Sequence, residues 1–375
     1  MFAGVGGFRA GLDLAGRFQC IGHCEIDKYA DASYRAIHAP GKEEVYYPDA
    51  RTIDPKGLPA FDLLCGGFPC QAFSTAGRRK GFEDARGTLF FELARVVKEK
   101  RPLYLFLENV PGLLSHDRGR TFGVILSALY DLGYHVEWTV LNSKHFGVPQ
   151  SRRRLFLIGY LDPRCAGKIL PVFGADAKAL VQIVHGRLGK RVYNSAGIAC
   201  TQDTSRQSGL YFVDLIKGDP KITPNARCLH TRQDGSLTNF KGQNSGVLYI
   251  KEATKKGYKE AHEGDSIDLG FAGSNTRRGR VFAGVAHTVD TANTHGIVLR
   301  GGRVRRLMPR ECFRLQGFNE DQIDNILAIN SDAQAYKQAG NSVTVTVIEA
   351  IGRRIRAADA ELHDKEEGRD VCPTM

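Results

Sequence analysis

An α/β fold built on a doubly wound sheet is what this sequence predicts, and three observations carry the prediction. Residues 1 to 160 alternate short apolar runs with amphipathic stretches. The chemically unusual residues of that stretch fall where the apolar runs end. Between residues 160 and 304 the texture changes, and helical periodicity returns from residue 305. Strands alternating with helices imply a parallel sheet, and ligands in such sheets sit beyond the carboxyl ends of the strands.

In chain order, Cys20 to Glu25, Asp62 to Cys65, Tyr104 to Leu107 and Arg154 to Tyr160 read as strands buried on both sides. Lys28 to Ile37, Thr88 to Lys100 and Thr121 to Leu132 read as the helices between them. Residues 160 to 304 are rich in Gly, Asn, Ser, Thr and Arg, with short strand-like runs that end in turns. They contain a faint internal echo, residues 226 to 248 against 286 to 299, which reads as two similar hairpins or as two related loops along an elongated ligand. Pro309-Arg310-Glu311-Cys312 reads as a helix start. Ser342 to Arg356 is a long run ending in a basic helix, expected to pack back on the first domain. The charged tail from Asp359 is expected to fray.

Composition limits the function classes. A chain of 375 residues suggests two or three domains at about 150 residues each. With 42% hydrophobic and 25% charged residues, disorder and fibres are excluded as the main class. The excess of Lys and Arg over Asp and Glu is 52 − 41 = 11, which suggests a polyanionic partner. Residues 160 to 304 hold 21 basic and 12 acidic residues, a net of +9, which leaves 11 − 9 = +2 for the rest. One face, not the whole surface, should therefore be basic. The nine cysteines form no CxxC pair and no zinc-like spacing with histidine, so neither a disulfide framework nor a metal is expected. Without a signal peptide or an apolar run of bilayer length, the expected compartment is the cytoplasm.

Six local patterns carry chemistry. Phe2-Ala3-Gly4-Val5-Gly6-Gly7-Phe8 is a Gly-rich turn before a helix, where backbone can approach a ligand closely, and its spacing is not that of a dinucleotide-binding dehydrogenase. Glu25 and Asp27 follow a strand, where a carboxylate suits a ribose diol or simply faces solvent. Cys70 stands in the loop Gly66-Gly67-Phe68-Pro69-Cys70-Gln71, presented after a buried strand in a place where its thiol pKa can be lowered. Glu108 ends another buried strand, in Glu108-Asn109-Val110, where desolvation favours a protonated carboxyl that donates a hydrogen bond, unless it is a helix-capping or ion-paired carboxylate. Arg152 and Arg154, in Gln150-Ser151-Arg152-Arg153-Arg154, should share one face of a strand and suit an anion or base site, unless the triplet is a solvated charge run. Gly340-Asn341-Ser342-Val343 is a polar turn, or a helix cap.

Taken in order, these motifs, with the run Arg305 to Phe318, resemble those of the DNA cytosine-5-methyltransferases over almost the whole chain. Each alone is only suggestive, whereas the ordered set is very specific. The resemblance implies a Rossmann-like class I S-adenosylmethionine-dependent methyltransferase domain (residues 1–160), a smaller, mixed, β-rich target-recognition domain (161–304), a return segment (305–358) and a charged tail (359–375). It implies that Cys70 attacks C6 of a cytosine flipped out of the stack, that Glu108 acts on N3, and that Arg152 and Arg154 hold the base and its phosphate. It places Phe2, Gly4, Gly6, Gly7, Glu25, Ile26, Asp49, Pro69, Asn341 and Val343 around S-adenosylmethionine, with Ile26 where a bulky aromatic is common. Gln71, Ser74, Arg277, Arg278, Arg280 and Thr288 are the expected DNA contacts. The implied partners are duplex DNA and a cognate restriction endonuclease, with the enzyme a monomer. The other readings are a tRNA cytosine-5-methyltransferase and a catalytically impaired DNA-binding homologue. Relatives usually carry a whole strand before the Gly-rich turn, so a late start that costs the sheet a central strand is expected.

Overall fold

The computed structural model describes residues 1–69, 89–170, 172, 213–214, 221–222, 248–269, 276, 278–292, 294–299 and 303–367. Helix α1 (Gly7–Ala15) leaves the Gly-rich turn, in which Gly4 and Gly6 have φ of 56° and 85°, values that favour glycine. Strand β1 (Gly22–Cys24) is shorter than predicted and pairs in parallel with β2 (Val45–Tyr47). Between them α2 (Lys28–His38) is capped by Asp27, whose carboxylate accepts from the amides of Tyr29 and Ala30.

A four-stranded sheet has the order β3-β4-β6-β5, made of β3 (Leu63–Gly67), β4 (Tyr104–Asn109), β5 (His135–Asn142) and β6 (Arg153–Tyr160). Helices α3 (Leu89–Lys100) and α4 (Arg120–Asp131) connect β3 to β4 and β4 to β5. β3 and β4 are parallel as predicted, but β6 runs antiparallel to both of its neighbours. The reason is loop length. Only residues 143–152 join β5 to β6, and a parallel return needs a crossover of a dozen or more residues. The sequence pattern does not predict β5. It is an edge strand, half buried, and lacks the continuous apolar run that marks β4 and β6.

Residues 1–3 lie between the two sheets. The amino group of Met1 donates to the Cys65 carbonyl on β3 (2.7 Å), and the Ala3 amide donates to the Cys24 carbonyl on β1 (2.9 Å). The central position expected to lack a strand is thus bridged by three residues. Gly66 makes room for them, since a Cβ there would stand 2.3 Å from the Met1 carbonyl oxygen.

Alternation along β4 divides the core. Leu105 and Leu107 join α3 and α4 through Phe90, Leu93, Val97, Ile125 and Leu129. Tyr104 and Phe106 face α1 and the C-terminal helix α8 (Val345–Glu367) through Phe8, Leu12, Ile348, Ile351 and Ile355. Helix α8 therefore covers one face of the four-stranded sheet and packs back on the first domain, as expected. The expected fraying at Asp359 does not occur. Helix α8 runs on to Glu367, with Ala358 and Leu362 buried and Asp359 accepting from the Tyr104 hydroxyl. Gly11 sets the approach of α1 to α8, because a Cβ there would lie 2.5 Å from Ile348 Cβ and 2.7 Å from the Val345 carbonyl oxygen. Gly11→Ala should cost about 1–3 kcal/mol through overpacking, read as a lower urea midpoint with an unchanged m-value.

The rest of the described chain is β-rich, then helical. β7 (Val213–Asp214) pairs with β8 (Lys221–Ile222), and β9 (Leu248–Lys251) forms a hairpin with β10 (Tyr258–Ala261). A four-stranded antiparallel sheet has the order β12-β11-β13-β14, made of β11 (Ser266–Asp268), β12 (Val281–Phe282), β13 (His295–Leu299) and β14 (Arg303–Arg306). These strands share a small core of Leu248, Ile250, Ala261, Ile267, Val281 and Val298. Helices α5 (Pro309–Leu315), α6 (Glu320–Ile329) and α7 (Asp332–Asn341) follow. The first half of the predicted echo lies almost wholly outside the described residues.

Candidate active site

Glu108 sits at the carboxyl end of β4, in register with Gly67 on β3. A Cβ on Gly67 would come within 3.0 Å of Glu108 Oε2, so the glycine leaves space for the carboxyl group. Two residues beyond Gly67 the exposed Pro69 leads to Cys70. Cys70, Gln71 and Ser74 lie outside the described residues. The strand end leading to them is anchored by Asn109, whose Nδ2 donates to the Phe68 carbonyl (2.8 Å). The only signal of this role in the sequence is an amide placed directly after a strand-end carboxylate.

Arg154, on β6, meets Glu108 through Nε at 2.9 Å of Oε1. Burial pushes the Glu108 carboxyl above the usual carboxylate range, with Arg154 and then Arg152 opposing it. Burial likewise pushes Arg154 down, with Glu108 opposing. Both partners move toward their neutral forms, so desolvation outweighs their attraction.

Arg152 lies close enough to act electrostatically on Glu108 and Arg154, but its hydrogen bonds go elsewhere. It precedes β6, so strand alternation does not reach it, and it is only 2% exposed. Its guanidinium donates to the carbonyls of Val289 (3.0 Å), Gly340 (2.9 Å) and Ser342 (2.7 Å). Gln150, fully buried, joins the same junction. Its Oε1 accepts from the Val289 amide, and its Nε2 donates to the Leu315 carbonyl and to Gln316. Thr288 donates to the Ser151 carbonyl (2.8 Å) and is thus held on the protein backbone. Backbone bonds Ser151 to Ala286 and Ala286 to Pro149 complete the seam. The segment 286–289 is in this way fixed to the residues that lead directly into Arg154.

The glycine-turn residues form a second group. The Gly4 amide donates to Glu25 Oε2 (2.7 Å) and the Asp27 amide to Oε1 (2.8 Å), which fixes the Glu25 carboxylate beside the turn. Ile26 is 68% exposed, a large apolar side chain presented next to that carboxylate. Phe2, half buried with φ 56°, packs against the core below. A Cβ on Gly4 would meet nothing within 4 Å, so the turn's backbone faces open space. Val343 and Ser342 pack on the start of α1, where a Cβ on Gly7 would be 2.8 Å from each, and this brings the exposed Asn341 to the same region. Asp49 stands apart from this group in its bonding, since it caps the short turn Ala50–Thr52 and binds Arg51 through both oxygens. His38 is a further support that the sequence did not flag. Its Nε2 donates to the Gly6 carbonyl (3.2 Å), and burial lowers its pKa to about 4, so a neutral ring supports the turn.

Of the expected DNA contacts, Arg277 lies outside the described residues. Arg278 is exposed, with Nε on the Ala253 carbonyl (2.8 Å). Arg280 is a correction. It is 2% exposed and donates to the carbonyls of Lys251 and Asp268, tying β9 to β11 from inside.

The model of the C-5 cytosine-specific DNA methylases matches residues 1–357. The chain belongs to this family. It is 34% identical to the type II methyltransferase M.HpaII of Haemophilus parainfluenzae, over 97% of this chain and 90% of that protein. It is 32% identical to the orphan methyltransferase M.SPRI of Bacillus phage SPR (95% and 96%) and 32% identical to M.HhaI of Haemophilus parahaemolyticus (95% and 92%). In fold it is similar to a DNA modification methyltransferase encoded within an E. coli prophage, with TM-score 0.56 and 21% identity over 96% of this chain and 98% of that one. S. pombe Dnmt2 gives TM-score 0.51 at 16% identity (95% and 97%). This family member is a DNA (cytosine-5-)-methyltransferase with the Rossmann-like fold of that class. No helix among its described residues is long and apolar enough to cross a membrane.

Proposed function

We propose that this methyltransferase acts on C5 of a cytosine flipped out of duplex DNA, through covalent addition of Cys70 to C6. The observation that carries the reading is the Glu108–Arg154 pair at the end of β4, beside the strand that delivers Cys70. A ring carbon is a poor nucleophile. Addition of the Cys70 thiolate at C6, with Glu108 hydrogen-bonded or donating at N3, directs the electron pair to C5. S-adenosylmethionine, when bound, supplies the methyl group. After transfer, C5 loses its proton and Cys70 leaves from C6, which restores the aromatic ring. A buried Glu108 with a raised pKa suits the donor role, and Arg154 holds its carboxyl in place. The turn, Glu25 and Ile26 fit the methyl donor: open backbone at a helix start, a fixed carboxylate for a diol and an exposed apolar surface for a planar base. Residues 161–304 would form the recognition domain, inserted into a discontinuous catalytic domain of a monomeric cytoplasmic enzyme that serves a restriction–modification system with a partner endonuclease.

The test is transfer of labelled methyl groups to duplex DNA and to tRNA in parallel, with 5-methylcytosine mapped in the product. Label confined to DNA, at one recurring sequence, is expected; label on tRNA alone, or on neither, overturns the reading. A second expectation concerns pH. Arg154 lowers the Glu108 pKa, so Arg154→Ala should raise it and move the alkaline limb of the kcat profile to higher pH, as well as lowering the rate. A limb that stays in place would dissociate Glu108 from that step.

A further inference from the structure

The hairpin β9–β10 carries a motif that the catalytic reading leaves unused. Its turn is tight: the Gly257 amide donates to the Thr254 carbonyl (2.9 Å), and Gly257 has φ 76°, so Lys255 and Lys256 are its two central residues and both are exposed. Arg278, distant in sequence, is held beside them by its bond to the Ala253 carbonyl. The turn's one acidic residue points the other way. Glu252 is buried and accepts from the amides of Arg280 (2.6 Å) and Val281 (3.2 Å), while Lys259 donates to the Val281 carbonyl. The buried Glu252 and Arg280 therefore clamp the hairpin to the strand after Arg278, and three cations stand together on a fixed base. Glu260 and Glu263 lie beyond the turn, toward the far end of β10. Among the described residues no carboxylate is paired with Lys255, Lys256 or Arg278. Gathering like charges this way is unfavourable alone and favourable against a polyanion.

We propose that Lys255, Lys256 and Arg278 form a clamp on the phosphate backbone of duplex DNA. The proposal rests on residues 161–304 being the recognition domain and adds the residues that hold the backbone. Lysines at a turn tip are long, mobile point charges, suited to phosphates more than to base edges. The clamp would therefore add affinity and salt dependence without sequence preference.

The test measures duplex oligonucleotide binding against salt for the wild type, the triple variant Lys255→Ala/Lys256→Ala/Arg278→Ala, the double variant Lys255→Ala/Lys256→Ala, and a control that removes exposed charge elsewhere, Lys42→Ala/Lys98→Ala. Each phosphate no longer neutralised should flatten the log–log slope by about 0.9, so the slope should fall by about 2.7 for the triple variant and about 1.8 for the double. The variants should melt like the wild type. A triple variant with the wild-type slope, or a control whose slope falls as far as that of the double, overturns the clamp. Methylation of the same duplex by the wild type, measured alongside, tests the underlying reading separately: a wild type that neither binds nor methylates duplex DNA removes both, whereas an active wild type with unaltered variants removes only the clamp.

Discussion

Cys70→Ala will abolish methyl transfer, by on the order of 10⁴-fold or more, and leave duplex binding within a few-fold of the wild type. The reasoning is chemical. C5 of cytosine acquires nucleophilic character only while a nucleophile occupies C6, and alanine supplies none. Among the described residues, the cysteine nearest to Cys70 in sequence, Cys65, lies within β3, where burial pushes its thiol pKa up and away from the reactive thiolate. Binding depends on other groups, so transfer and binding should separate. Labelled-methyl incorporation and a duplex binding curve measure the two. A variant that still transfers methyl groups at near the wild-type rate would sink the covalent mechanism.

Glu311→Ala should destabilise the fold by about 3–5 kcal/mol, more than is expected of Gly11→Ala. Glu311 is 0% exposed. Its two oxygens accept from both terminal nitrogens of Arg305, each at 2.7 Å, and one also accepts from the Met308 amide. Alanine would remove the carboxylate that both terminal nitrogens of the buried Arg305 guanidinium bond, and the loss of that charge pairing is the main source of the cost. The pair joins β14, the last strand of the β-rich region, to α5, the first helix of the return segment. Burial raises the Glu311 pKa in spite of Arg305. A carboxyl raised in the folded state contributes stability that is present below its unfolded pKa and lost as pH rises through the folded one. The stability difference between wild type and Glu311→Gln should accordingly favour the wild type most on the acid side and shrink as pH rises through that window. Equilibrium urea unfolding across pH measures both effects. An alanine variant within about 1 kcal/mol of the wild type would mean that the pair is replaceable by water or by a shift of α5.

Much of the site was legible because its chemistry is local. A carboxylate ending an apolar run, a glycine-rich turn before an amphipathic stretch and an acidic residue after a strand are patterns of a few residues, and Glu108, Gly4, Gly6 and Glu25 stand at the strand and turn ends where those patterns put them. What failed depended on contacts distant in sequence. Arg152 and Arg154 look equivalent in the chain, yet one bonds three carbonyls 137 to 190 positions away and the other meets Glu108. Arg280 looks like Arg278, yet Glu252 and the carbonyls of Lys251 and Asp268 draw the segment inward at Arg280. His38 gave no sign that it would support the turn at Gly6, since that bond spans 32 positions.

Which chemistry is available is written in the chain itself, because hydrophobic period and turn residues act over a few positions and fix where strands end and which side chains stand there. Which basic residues stay exposed and which become fasteners was settled by tertiary packing, whereas the direction of β6 followed from the short loop before it. Burial and partnership depend on what folds against a residue, and a guanidinium reaches water, a carboxylate or a ring of carbonyls according to neighbours that the local sequence does not contain.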